Sequence, residues 1–339
     1  MQNLQQDGQD VRQDLTADEL VLKGATETSE GLFEVDTMSL KNAVMSVTTP
    51  EVETLKIAMP VMQAKGAFIH APNTLKTGLD RMFAQSMLAR SYSIPLMTVT
   101  VDAFSLDLHD VKYTWDGDPK TFMGESIYSI GSIELPASTL DNLGMQPSLK
   151  ELGYDKLVFA VTGRANMQMP AANIEIDGDS SFLARDMGAI SSSGAVGGIP
   201  PALFEAAQAV QEAPNSIDMN AMMAMLQSIT IGHIKLRYDD VSLAERLLKY
   251  YEKLQKKSRE EIIADIVAVS DIGMVALNSP DLTAQAKAAL QTFLTRPGWI
   301  EIEMRPDAPV AVSKIMPLVG TPAEIVKLLK VNISAGAAK

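Results

Sequence analysis

Residues Val99–Val111 read VTVDAFSLDLHDV, and residues Ile229–Val241 read ITIGHIKLRYDDV. At an offset of 130 the apolar residues occupy the same slots: Val99/Ile229, Val101/Ile231, Phe104/Ile234, Leu106/Leu236, Leu108/Tyr238 and Val111/Val241. Thr100/Thr230 and Asp110/Asp240 are identical. In both copies apolar and polar residues alternate, slip by one position, and alternate again. Successive strand side chains point to opposite faces, so the alternation marks a strand with one buried face, and the slip marks a bulge that resets the register. A shorter echo lies earlier, where Val35-Asp36-Thr37-Met38-Ser39-Leu40 matches Val101-Asp102-Ala103-Phe104-Ser105-Leu106. Repeated long amphipathic strands predict an α+β fold: a long, curved, mainly antiparallel β-sheet, with helices packed on one face and a helix-rich C-terminal third.

Around the first copy, Met45/Val47 and Leu55/Ile57/Met59/Val61 alternate with polar or small neighbours, and Pro50 and Pro60 predict strands that bend or lie at edges. Residues 73–90 carry an apolar stripe at helical spacing (Leu75, Leu79, Met82, Phe83, Met87, Leu88) and predict a helix. Long strands are expected over 97–115 and 121–135, joined by the turn Asp116-Gly117-Asp118-Pro119. Residues 138–152 read as a short helix or irregular link. Further strands are expected at 156–169, 172–178, 180–190 and 193–199, with Asp177-Gly178 as a hairpin turn. These connections are too short for parallel crossovers, so the pairing should be antiparallel. The breaker-rich stretch SSSGAVGGIPP, residues 191–201, reads as a flexible joint.

Beyond it, a short helical region is expected over 201–227. After the second copy, Ser242-Leu243-Ala244-Glu245 and Ser258-Arg259-Glu260-Glu261 have the form of capping boxes. Ser279-Pro280 and Thr321-Pro322 open further helices. Ile300, Ile302 and Met304 alternate with charged residues as a half-exposed strand, and Val331, Ile333 and Ala335 mark a last one. The domain reading is a flexible lead-in at 1–17, a β-rich region at 18–199, and an α+β region at 200–339 that continues the sheet.

Composition narrows the function classes. Hydrophobic residues make up 46% of the 339, enough for a sizeable core. The net charge of −13 argues against nucleic acid, whose phosphates need a basic surface. No cysteine is present, which excludes disulfides, thiolate metal sites and cysteine nucleophiles. There are 20 methionines while aromatics are only 5%, which suits either an ordinary core filled with Met or an apolar cavity adapted to a flexible ligand. No run approaches the ~20 apolar residues of a transmembrane helix. The N-terminal MQNLQQDGQDVRQDLTADEL is polar and acidic, unlike a signal peptide.

Each candidate for chemistry has a plain explanation. His109 and Asp110 are adjacent on a strand and should face opposite ways unless a bulge re-aims one of them. His233 falls at the phase slip and reads as a bulge residue. Asp116, Asp118, Asp177 and Asp179 suit turns and lack the full calcium-loop pattern. Met219, Met222, Met223 and Met225 could offer thioethers to Cu(I), but a buried helix face explains their spacing. The Gly-x-Ser-x-Gly elbow and the phosphate-binding glycine loop are absent. No catalytic residue, metal ligand or cofactor is assigned.

The strand Ile234-Lys235-Leu236-Arg237-Tyr238-Asp239-Asp240-Val241, with an Arg-bearing helix (Leu243 to Leu254) directly after it, resembles Gram-negative envelope proteins of the AsmA-like and YdgA-type (DUF945-like) families. So does the closing module Arg296-Pro297-Gly298-Trp299-Ile300-Glu301-Ile302, Ala308-Pro309-Val310 and Pro322 to Ile333. The resemblance spans about residues 95–335 and names no catalytic residue. It implies a periplasmic, β-rich protein concerned with envelope lipid, with its signal or anchor missing from this chain; a cytoplasmic location is the alternative. The expected function is non-enzymatic binding or conveyance of lipid or another hydrophobic ligand. The expected site is an apolar groove lined by Val99, Val101, Phe104, Leu106, Leu108, Ile229, Ile231, Ile234, Leu236 and Tyr238. Two readings compete with it: a structural protein with a closed core and an envelope protein partner, and an enzyme, for which no converging polar residues can be placed.

Overall fold

A computed structural model describes residues 2–6, 9–29, 31–48, 54–70, 89–101, 104–137, 146–204, 206, 219–275 and 277–337. The strands are β1 (Gln2–Gln6), β2 (Gln9–Thr16), β3 (Glu19–Ser29), β4 (Leu32–Thr48), β5 (Leu55–His70), β6 (Ala89–Val101), β7 (Phe104–Gly117), β8 (Gly124–Pro136), β9 (Lys156–Gln168), β10 (Ile174–Ala184), β11 (Gly188–Ile199), β12 (Thr230–Asp240), β13 (Gly298–Met304), β14 (Val310–Ala311) and β15 (Val331–Ala337). The helices are α1 (Met219–Ser228), α2 (Leu243–Gln255), α3 (Arg259–Val275), α4 (Pro280–Thr295), α5 (Val312–Ile315) and α6 (Pro322–Leu328). The chain is strand-rich, and its strand pairs are antiparallel, as the short connections require.

The chain forms two compact units that interleave in sequence. Unit 1 holds residues 1–134, 160–169 and 201–222; unit 2 holds 135–159, 170–200 and 223–339. Within unit 1 the strand order is β1-β2-β4-β5-β6-β7-β8, with β3 also on β4. Within unit 2 it is β10-β11-β12-β13-β15, with β14 also on β12. Strand β9 supplies residues to both units.

Two lines of irregular residues cross the unit 1 strands. Along one, Asn42 (φ 48°) and Asp110 (φ 53°) take left-handed backbone, and Pro60 and Pro95 lie at gaps in the ladder. The other runs through Gly24 and Gly66, both at positive φ. A left-handed residue turns the side-chain alternation over. On β7 the apolar positions accordingly move from Phe104, Leu106 and Leu108 to Val111, Tyr113 and Trp115 beyond Asp110. Pro60 thus lies inside β5, between paired strands and not at a sheet edge, and Pro50 lies outside the described residues. A core of Val35, Ala64, Ala67 and Ala89 packs across the glycine line, with Met38 and Tyr92 against it.

Several expectations are corrected. Residues 99–111 are not one bulged strand: Val101 pairs with Phe104, so the chain reverses there and the first copy is a β6–β7 hairpin. A strand followed by its own reversal gives the same apolar slip as a bulge, which is why the two copies read alike. Asp177-Gly178 is not a turn; both residues lie inside β10, opposite Ala195 and Gly194, and the reversal comes at residues 185–187. SSSGAVGG is not a joint but the body of β11, paired on both sides. Residues 2–6 and 9–16, expected to be a flexible lead-in, form β1 and β2. The helix expected at 73–90 lies outside the described residues except for its last two, which begin β6.

The second copy does carry its bulge. β11 pairs Gly194 with Ile234 and Val196 with Ile231, so two steps on β11 match three on β12. The extra residue falls at Gly232-His233, where His233 was expected to sit. The bulge also divides β12 between two neighbours, β14 at Thr230–Ile231 and β13 at Ile234–Asp239.

Candidate functional site: the apolar strand faces

The ten residues expected to line a groove fall into two sets, five in unit 1 and five in unit 2. In unit 1, cross-strand partners share a face, and the register gives the rows Val47–Leu55–Val101–Phe104 and Met45–Ile57–Val99–Leu106. Beside them run Met97–Leu108–Ile133 and the pair Ala43–Met59. All five expected residues, Val99, Val101, Phe104, Leu106 and Leu108, therefore lie on one apolar face. The hairpin brings them together: its two strands run antiparallel, so odd positions on β6 meet even positions on β7. The face passes from Phe104, 40% exposed, to Leu108, 8% exposed, with the residues between half-buried. Met45, Met59 and Met97 extend it on three neighbouring strands, a contribution the repeat alone did not reveal. The reverse face is polar: Thr98 donates to Asp107 Oδ1 at 2.6 Å, and the Thr100 and Ser105 hydroxyls are 3.2 Å apart.

In unit 2 the rows are Phe182–Ile190–Tyr238–Ile300–Ala335, Ser180–Ser192–Leu236–Ile302–Ile333 and Gly178–Gly194–Ile234–Met304–Val331. Helix α4 lies over part of this face: Phe293 and Leu294 pack with Ala244, Tyr238, Ile300 and Ala335. Tyr238 is partly buried there. Its hydroxyl donates to Asp240 Oδ1 at 2.8 Å, and burial, reinforced by that carboxylate, pushes the phenol pKa up. The same Asp240 oxygen accepts the Ala244 N–H at 2.9 Å and so caps α2. Beyond the reach of α4, Phe182, Ile190, Leu236 and Ile302 stay between 37% and 48% exposed and form an open apolar strip. Ile231 lies past the bulge, opposite buried Val310 on β14, and Ile229 precedes the strand. These two do not join the rows of Ile234, Leu236 and Tyr238.

The reverse face of unit 2 is ionic. Glu301 meets Lys235 at 2.8 Å and Arg237 at 3.6 Å, and Arg237 also grips Asp239 and lies 4.4 Å over the Trp299 ring. The Arg237 guanidinium holds the Asp239 carboxyl below the usual carboxylate range. The indole of Trp299 in turn covers Gly336, where a Cβ would come within 2.7 Å of Nε1.

Other candidates resolve as structure. Asp118 accepts the Lys120 N–H at 2.9 Å and the Thr121 hydroxyl at 3.3 Å, which is turn chemistry. The left-handed Asp110 packs its Cβ over Gly131. Arg246, the arginine of the resemblance, ties α2 to the turn before β9: Nη1 donates to Leu152 O at 2.8 Å and to Gly153 O at 2.7 Å, and the guanidinium lies 4.1 Å over the Tyr154 ring. Among the described residues no cluster of three or more His, Asp or Glu side chains could hold a metal. Nor is any described helix long and apolar enough to cross a membrane.

Among comparisons with known proteins, one family model, described only as an uncharacterized protein, matches residues 181–336. That span runs from within β10 to the next-to-last residue of β15, and takes in the unit 2 rows apart from Gly178 and Ser180. No curated protein matches the chain.

Proposed function

We propose that this protein binds a hydrophobic ligand of lipid type on the apolar face of its antiparallel strands and performs no catalysis. One observation carries the reading: the contiguous apolar face of unit 1, on which Val99, Val101, Phe104, Leu106 and Leu108 join Met45, Met59 and Met97. A face graded from buried to exposed suits a ligand that is taken up and released. Methionine side chains, unbranched and polarizable, fit acyl chains of differing shape. The periplasmic envelope setting, and a role in conveying lipid, rest on the resemblance to AsmA-like and YdgA-type proteins.

The test is native mass spectrometry of protein purified without detergent, followed by organic extraction. Near-stoichiometric lipid is expected, and it should be lost in Val99→Asp/Leu106→Asp, a variant whose far-ultraviolet circular dichroism verifies folding. An apo mass together with no uptake from lipid vesicles would overturn the reading. A second reading, a protein-binding module, draws on the open strip of Phe182, Ile190, Leu236 and Ile302 in unit 2. It predicts a stable complex or oligomer by light scattering that Leu236→Asp abolishes while lipid content is unchanged.

A further inference from the structure

Helix α2 has a second face that the apolar rows do not use. Ala244 and Leu248 are buried, whereas Arg246, Lys249, Tyr250, Lys253 and Leu254 follow one another at helical spacing along one wall of a cleft. Its other wall is the turn Glu151-Leu152-Gly153, and its volume is about 630 Å³, within the usual range for small-molecule sites.

The charges in this cleft run against the molecule. Arg246 spends its hydrogen bonds on two backbone carbonyls and its flat face on Tyr154; these are neutral partners, and among the described residues no carboxylate answers its charge. Lys249 reaches Glu245 at 3.2 Å, but Glu245 is shared with Arg259 at 2.7 Å. Lys253 has no carboxylate partner among the described residues. Glu151 is the single acid in the lining, and its Oε2 accepts the Ser148 N–H at 2.8 Å. Three cations against one acid leave the cleft net positive in a chain of net charge −13. Leu254, 60% exposed, adds an apolar patch beside Tyr250 and Leu152. A walled cleft of one sign concentrates potential and favours the opposite charge.

We infer that this cleft binds an anionic group, phosphate or carboxylate, carried on an apolar body. Lys249 and Lys253 meet the anion as mobile ammonium donors, the fixed charge of Arg246 deepens the potential, and Tyr250 and Leu254 take the hydrocarbon. The site lies wholly in unit 2 and is independent of the unit 1 face.

The experiment is calorimetric titration of the full chain with dodecyl phosphate below its micelle concentration, and separately with inorganic phosphate. Both are repeated on Lys249→Glu/Lys253→Glu, whose changes are confined to exposed side chains of α2. Single-site binding of dodecyl phosphate is expected, weakened at least about tenfold in the variant. Weaker inorganic phosphate binding, lost in the same variant, would assign the site to amphiphiles; equal binding would assign it to the free anion. Dodecyl phosphate binding that the double substitution leaves unchanged, or no binding to the unsubstituted protein, would overturn the inference.

Discussion

Single residues in this protein are constrained by what crosses over them. Three aromatic rings lie on glycines of a neighbouring strand: Tyr128 on Gly163, Tyr238 on Gly188 and Trp299 on Gly336. At Gly188 a Cβ would stand 2.6 Å from both Asp239 O and the Tyr238 hydroxyl, one of them backbone that cannot yield. Gly188→Val should therefore cost about 2–3 kcal/mol in urea denaturation. At Gly194 the nearest atom to a Cβ is 3.2 Å away, and Gly194→Ala should lose much less. Tyr92 and Tyr113 stack at 5.1 Å, and Tyr113 is pushed up to about 12, first by burial and then by Tyr92. Because the folded state holds off ionisation, the stability from this pair is fully present below pH 10 and is lost as pH rises through about 12. The urea midpoint should fall across that window, and fall less in Tyr113→Phe. At this scale the sequence was partly legible. Ser258 and Glu261 form the expected reciprocal cap, Glu261 N–H to Ser258 Oγ at 3.3 Å and Ser258 N–H to Glu261 Oε2 at 2.8 Å. The identical pattern at Ser242 does not form, because the Ser242 hydroxyl donates instead to Asp186 O at 2.5 Å and Asp240 does the capping.

At the scale of elements, alternation revealed which residues share a face more reliably than where strands end. The shared face of Val99, Val101, Phe104, Leu106 and Leu108 was legible although their strand was in fact a hairpin, since reversal and bulge shift the apolar phase in the same way. Strand β11 was legible only in part, as a strand at 193–199 overlapped by a joint at 191–201, because its residues are small: glycines and serines signal a loop by propensity, whereas here two neighbouring strands satisfy its backbone. The amides of Ser191–Gly194 should accordingly exchange with solvent as slowly as those of Lys235–Tyr238 when followed by hydrogen–deuterium exchange. Fast exchange confined to 191–194 would restore the flexible joint. The small side chains have a consequence for the site as well. They make a low lane between β10 and β12, bordered by Phe182 and Leu236, and so help leave the unit 2 strip open.

At the scale of the whole molecule, the interleaving of the two units governs which fragments can fold. The boundary read from sequence, at 199/200, falls where the chain passes from unit 2 to unit 1 at Pro200-Pro201. A fragment of residues 201–339 would take β12 without β11, baring one edge of that strand. It should be aggregated or unfolded by circular dichroism and light scattering, and a fragment of 135–339 should recover folded structure. A cooperative transition in 201–339 alone would contradict this partition. Sequence by itself determined the strand-rich antiparallel class, the bulge at His233, the helix after Asp240 and the common face of Val99, Val101, Phe104, Leu106 and Leu108. These follow from local periodicity and capping, which every residue carries with it. Only the tertiary structure decided that residues 101–104 reverse, that a serine- and glycine-rich stretch is an inner strand, that α4 packs on Tyr238 and leaves Leu236 exposed, and that Arg246, Lys249 and Lys253 of α2 line a cleft. Each of these depends on what a distant segment places opposite, and no local pattern records that.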